Sequence, residues 1–205
     1  MQDRFEIREL IESWAVWRDA GAWDRFATVW HEDGWMIATW YQASAMDFIA
    51  RSRAAFDSGL KVIHSLGGSS IDVVGDRAVA HTKMEIRQRG NVHGVEVDVF
   101  CQGRFVDAFE RRGGRWGMVL RQPIYELDAM RLVDPVARIE LDRELLARYP
   151  EGYRHLAYLQ VAQGMDVYDN MPGTRGAEIE ALNSRMNGWL AGEPAGCLRP
   201  AAAAA

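Results

Sequence analysis

The sequence predicts an α+β domain in which helices come first and a strand meander follows. Two observations carry this prediction. Apolar residues recur at three- and four-residue spacing through the N-terminal segment, and after about residue 62 the period falls to two. The turn signals VGDR, RGN and RRGGR separate the later runs, so consecutive strands pair antiparallel. Helices packed on one face of a strongly curved sheet leave a cavity between the two layers.

The elements follow in order. Residues 4–20 read as helix, because Phe5, Ile7, Leu10, Ile11, Trp14 and Trp17 form one apolar face that Gly21 ends. A short second helix runs from Trp23 to about Trp30. HEDG at 31–34 then turns the chain into a strand, Trp35–Tyr41. A third helix spans about 44–57, capped by Ser44 and stopped before Gly59. The meander comprises Val62–Val74, Ala78–Arg87, Val95–Glu110 and Trp116–Leu127. Beyond Asp134-Pro135 the pattern is helical again, at about 136–148, 152–168 and 176–190. The expected organisation is a domain over 1–134 and a helical extension over 135–200. The extension closes the pocket, packs on a neighbouring subunit, or does both.

Composition narrows the function classes. With 205 residues, 48% hydrophobic and 26% charged, the chain has an ordinary globular balance. A net charge of −5 gives no electrostatic reason to expect nucleic acid or an anionic membrane surface. The start, MQDRFEIREL, is charged and periodic and does not read as a signal peptide. No apolar run approaches the roughly 20 residues of a membrane helix. A cytoplasmic location without a membrane partner is therefore the expectation. Cys101 and Cys197 lie far apart without metal-ligand spacing, so neither a disulfide framework nor a metal site is expected. The eight Trp suit a core, and they also suit a pocket for a flat apolar ligand.

Asp19 and His64 are the residues that could carry chemistry. Asp19 ends the first helix beside Trp14 and Trp17, and His64 lies at the start of the first long strand, within LKVIHSLGG. If the helix crosses the sheet, the two meet between the layers. A carboxylate bound to one imidazole nitrogen fixes the tautomer and raises the basicity of the other nitrogen. The result is a general base that works near neutral pH without metal or cofactor. The plainer reading is a surface aspartate at a helix end and a satisfied core histidine. His31, His81, His93 and His155 read as structural, and Cys101 as a small core residue.

The stretch IRELIESWAVWRDAGAWDRFATVWHEDGWMI resembles the N-terminal helices of the SnoaL-like branch of the NTF2-like superfamily, which includes scytalone dehydratase and the lindane dehydrochlorinases. An Asp after the first helix, matched by Asp19, a Trp30-His31-Glu32-Asp33 stretch, Ile63-His64-Ser65 and the hairpin FERRGGRWGM occur in the family's order over about residues 5–128. The resemblance implies a cone-shaped fold enclosing a pocket and a catalytic Asp19–His64 dyad. It also implies a homo-oligomer, a trimer before a dimer. The chain departs from the dehydratase pattern in having no second pocket histidine at a matching place. Arg104, Arg121 and Tyr125 are the substrate-binding candidates instead, with Tyr41 for a water-holding tyrosine and Trp40 for the pocket wall.

These features lead to a cofactor-independent lyase. Its reaction is elimination or retro-aldol-type cleavage (dehydration, dehydrohalogenation or deformylation) of a small hydrophobic, aromatic substrate. Lignin-derived diaryl compounds come within that scope, because diarylpropane lyases also resemble this branch. Three alternatives share the fold: an isomerase, a polyketide cyclase, and an epoxide hydrolase built on Arg104 and Asp107. A non-catalytic ligand carrier or structural subunit is the remaining reading, and a converging Asp–His pair facing an open pocket weighs against it.

Overall fold

The computed structural model describes residues 1–199; Pro200, the last residue assigned to the extension, and the alanines 201–205 lie outside the described residues. The first helix, α1 (Gln2–Asp19), buries Ile7, Ile11 and Trp14. It ends in a left-handed turn at Gly21 (φ 67°), where Ala22 N–H donates to the Trp17 carbonyl at 2.8 Å and Gly21 N–H to that of Arg18 at 3.3 Å. This double bond pattern closes the orphan carbonyls and fixes the last turn, which carries Arg18 and Asp19. After α2 (Trp23–Ala27) come β1 (Trp30–Ile37), β2 (Gln42–Ser44) and α3 (Ala45–Asp57). The Ser44 side chain accepts from Asp47 N–H at 3.2 Å, the cap expected of it.

Four long strands follow: β3 (Lys61–Val74), β4 (Arg77–Val92), β5 (Val95–Arg112) and β6 (Arg115–Leu132). They form one unclosed sheet in the order β2-β1-β6-β5-β4-β3, antiparallel except where β1 runs parallel to β6. The α+β cone expected from the sequence is the observed architecture. Three boundaries differ for physical reasons. HEDG does not turn the chain; it lies inside β1, where the register against β6 shifts and Glu32 and Asp33 face solvent while His31 is buried. The strand then stops at Ile37 because Ala38 N–H donates to the Tyr41 carbonyl, a tight turn into β2. The β4–β5 turn is at His93-Gly94 and not at RGN, since both residues adopt positive φ (52° and 84°), as a two-residue hairpin requires.

Strand alternation gives the sheet two working faces. Helix α1 crosses β3 on the concave face, and the inward residues of β3 to β6 look toward it. A register shift at Gln102/Gly103 sets Tyr125 against Gly103 on that face. Gly103 has no room for a side chain, because a Cβ there would lie 2.0 Å from the Ile124 carbonyl oxygen. Gly103→Ala is expected to cost about 1–3 kcal/mol through forced backbone movement. That lowers the melting temperature by about 2–4 °C per kcal/mol in a chain of this size, as thermal denaturation followed by circular dichroism will show. An unchanged melting temperature would mean that the strand pair yields freely at this point.

The C-terminal segment contains α4 (Arg143–Ala147), α5 (Arg154–Ala162) and α6 (Ala177–Leu190), all shorter than the helical pattern suggests. Helix α5 covers the concave face. Asp128 of β6 accepts from His155 N–H at 2.6 Å and Leu156 N–H at 2.9 Å, and Thr39 donates to Gln160 at 2.7 Å. The chain then passes the β1 side, where Tyr168 N–H donates to the Thr39 carbonyl and Gln42 to Asn170. Helix α6 seals the opposite face. Trp189, fully buried, donates to the Phe109 carbonyl and lies 3.9 Å beneath the Arg77 guanidinium, while Arg185 donates to Gln122 at 2.6 Å. Among the described residues, no helix is long and apolar enough to cross a membrane.

Candidate active site

Asp19 and His64 meet on the concave face. Alternation along β3 turns Val62, His64 and Leu66 inward, and the end of α1 lies across that strand. Asp19 Oδ2 accepts from the His64 backbone N–H at 2.6 Å, and Oδ1 lies 2.8 Å from Nδ1. The carboxylate therefore grips one residue at two points, which fixes both the position and the plane of the imidazole. With Nδ1 donating to Asp19, the lone pair of Nε2 is free, and no partner for it is found among the described residues. Trp14 meets the ring edge-on, with centroids 5.1 Å apart, and Phe105 lies 6.1 Å away.

The electrostatics agree with this geometry. Burial pushes the Asp19 carboxyl upward, but the hydrogen bonds from the His64 ring and backbone and the nearby Arg18 charge oppose it, and the group ends below its ordinary value. A carboxylate at a helix C-terminus opposes the helix dipole, so these donors offset that penalty. Burial lowers His64 below 6.5; the bond to Asp19 opposes the shift, and the charges of Arg18 and Arg121 add to it. The ring is held neutral, as a base must be.

His64 lines an apolar cavity of about 70 Å³ with Trp14, Met36, Trp40, Phe48, Phe105 and Tyr125, roofed by Leu156, Gln160 and Met165 of the extension. This is room for a few waters or one small organic group. Ala55, Leu60 and Met165 also border an outer cleft of about 430 Å³ with Lys61 and Arg89 at its rim, so the two spaces adjoin.

The other predicted site residues take varied places. Trp40 and Tyr125 line the cavity, and burial raises the Tyr125 hydroxyl well above 10, which keeps it protonated beside Thr39. Tyr41 lies outside that lining and donates to Asp47 at 2.9 Å; burial and this bond push it up to about 12. Arg104 is on the far face of the sheet, half-exposed and paired with Glu126 at 2.7 Å. Arg121 is fully buried behind the cavity wall, bidentate to Asp107 at 2.7 Å, with Trp14 at 4.3 Å and Phe105 at 4.1 Å over its guanidinium. Arg104 and Asp107, three apart on one strand, point to opposite faces, so the cluster considered for epoxide opening does not assemble.

Sequence reasoning missed two things. Arg18 lines the cavity beside the dyad, and its i, i+4 relation to Trp14 was the signal that would have found it. The roofing residues of α5 had no such signal. Asp128 and His155 repeat the bonding of the dyad, with backbone N–H and Nδ1 both held, but there the aspartate also takes Leu156 N–H and anchors α5. His155 does not line the cavity. Among the described residues, no group of three His, Cys, Asp or Glu side chains could hold a metal.

A family model described as a SnoaL-like domain matches residues 1–122. The chain belongs to the SnoaL-like family. Pea pathogenicity protein 2 of Fusarium vanettenii is 40% identical over 177 residues, spanning 84% of this chain and 76% of the relative. A PEP2-like protein of the same fungus is 37% identical over 202 residues, 93% of this chain and 87% of its own, so the likeness extends through the C-terminal segment. Among solved structures, a hexachlorocyclohexane dehydrochlorinase aligns with a TM-score of 0.55 at 14% identity, covering 68% of this chain and 94% of its own. A provisionally assigned scytalone dehydratase of Novosphingobium aromaticivorans aligns with a TM-score of 0.54 at 16% identity, covering 67% and 95%. At such identities these structures show that this SnoaL-like chain shares their fold, and they leave its reaction to the site.

Proposed function

We propose that this SnoaL-like protein is a cofactor-independent lyase in which His64, positioned by Asp19, removes a proton from a compact hydrophobic substrate so that a neighbouring group departs. One observation carries the reading: a neutral imidazole with Nδ1 bound to a carboxylate and Nε2 left free sits in the lining of an apolar cavity. Such a site supplies orientation, a tuned base and exclusion of water. Tyr125, kept protonated, is the hydrogen-bond donor for a departing oxygen or halide. The inner cavity accepts the reacting part of an aromatic substrate, and a two-ring compound needs the outer cleft as well. An open cavity beside a built dyad speaks against a purely structural subunit.

The test is turnover of hydroxylated and halogenated aromatic or cyclic compounds without added cofactor, wild type beside His64→Ala, with products read by mass spectrometry. Loss of water, halide or formaldehyde from a substrate, abolished in His64→Ala, supports the lyase. A product of unchanged mass makes it an isomerase instead. Equal turnover in both proteins removes His64 from the mechanism.

A further inference from the structure

The remaining charge in the cavity wall is Arg18. Its side chain lies beside the dyad and the residue is only 7% exposed. A guanidinium offers five donors. Here Nη1 makes two long contacts, 3.2 Å to Asp19 Oδ1 and 3.4 Å to the Val62 carbonyl, and Nε is buried without any partner. Asp19 gives it only that one long contact, because its two oxygens are directed at the His64 ring and backbone. Burial correspondingly lowers the Arg18 guanidinium from its ordinary value, with Asp19 opposing the shift.

Arg121 shows how this fold pairs a buried arginine that does not line the cavity, leaving only its Nη1 without a partner. It has a private carboxylate held at two points and an aromatic ring on either side. Arg18 has neither arrangement, although it is nearly as deeply buried and sits at the cavity. Buried donors without partners are rare and costly, and they call for an acceptor. The acceptor that suits an unsaturated guanidinium in an apolar space is an oxyanion, which it binds through short charge-assisted bonds.

We propose that Arg18 is the specificity-determining group of this cavity and that the substrate carries an anionic oxygen, a carboxylate or phenolate, which Arg18 binds while the carbon or hydroxyl to be deprotonated faces His64 Nε2. The proposal rests on the cavity being the substrate site, and it holds whichever reaction His64 performs. It moves the substrate-binding role expected of Arg104 and Arg121 to the residue beside Asp19.

Binding of benzoate and propionate tests it against their neutral counterparts, benzyl alcohol and 1-propanol. Each is titrated by calorimetry into wild type, Arg18→Gln, Arg18→Lys and His64→Gln, with circular dichroism as the control for folding. The expected result is that wild type prefers each acid to its alcohol by about tenfold or more, the scale of a charged hydrogen bond. Arg18→Gln should abolish that preference, Arg18→Lys keep part of it, and His64→Gln keep most of it. The wild-type comparison decides even if Arg18→Gln fails to fold, because equal binding of acid and alcohol overturns the role of Arg18 while leaving the cavity as a ligand site. Preference lost in His64→Gln but kept in Arg18→Gln assigns the anion to a protonated histidine and also overturns it. Binding of none of the four overturns the substrate-site reading and this proposal with it.

Discussion

Asp107→Ala is expected to destabilise the protein by about 3–5 kcal/mol, because it strands the Arg121 guanidinium in the core. Both side chains are 0% exposed, and their two 2.7 Å bonds are what compensates the burial. Burial pushes the Asp107 carboxyl above its ordinary value and the Arg121 charge opposes that shift, so Asp107 depends on Arg121 to stay ionised. A loss of this size is a large part of the roughly 5–15 kcal/mol that holds a domain together. Urea titration will show it as a shifted midpoint. Removing both charges, as Asp107→Leu with Arg121→Met, should recover most of the loss, since an apolar pair of similar volume needs no compensation. A single variant that loses under about 1 kcal/mol would mean that water reaches the pair.

Asp19→Asn is the variant expected to cost most activity, about a hundredfold or more in kcat/KM, the scale of a lost general base. The amide can still meet the ring, but it no longer fixes Nδ1 as the protonated nitrogen. The pH profile carries the signature. His64 is held below 6.5, so the wild-type plateau should extend to lower pH than free imidazole allows and fall only when Nε2 takes a proton. Asp19 opposes that lowering, so its loss should move the acid limb further down while reducing the plateau. Stability follows the same direction. Both folded-state values are depressed, so the contributions of Asp19 and His64 are present above their unfolded values and are lost as the pH falls through the folded ones. A variant with the wild-type plateau would remove Asp19 from the mechanism.

Much of the fold was legible because its signals are local. The spacing of Ile7, Ile11 and Trp14 marks one buried helix face, and Ser44 and Gly21 end elements in the way their chemistry dictates. The dyad was legible only through likeness to a family, because α1 and β3 meet through tertiary packing that no spacing reveals. Arg104 and Arg121 were ambiguous for the same reason. They lie on different strands, so alternation could not place them on opposite faces until the β5–β6 register, with its shift at Gln102/Gly103, was known. HEDG misled because polar residues in a strand bulge look like a turn when the register is unknown.

The C-terminal segment does two jobs at once. Its first part closes the cavity over His64 with Leu156, Gln160 and Met165, and its last part lays Trp189 against the back of the same sheet. Ligand exchange and colloidal behaviour are thereby tied to one stretch of backbone. Any excursion that lifts α5 far enough to admit a bulky molecule pulls on the helix that covers the opposite face of β4 and β5. Engineering a wider entrance by loosening this belt would therefore trade substrate range against resistance to aggregation.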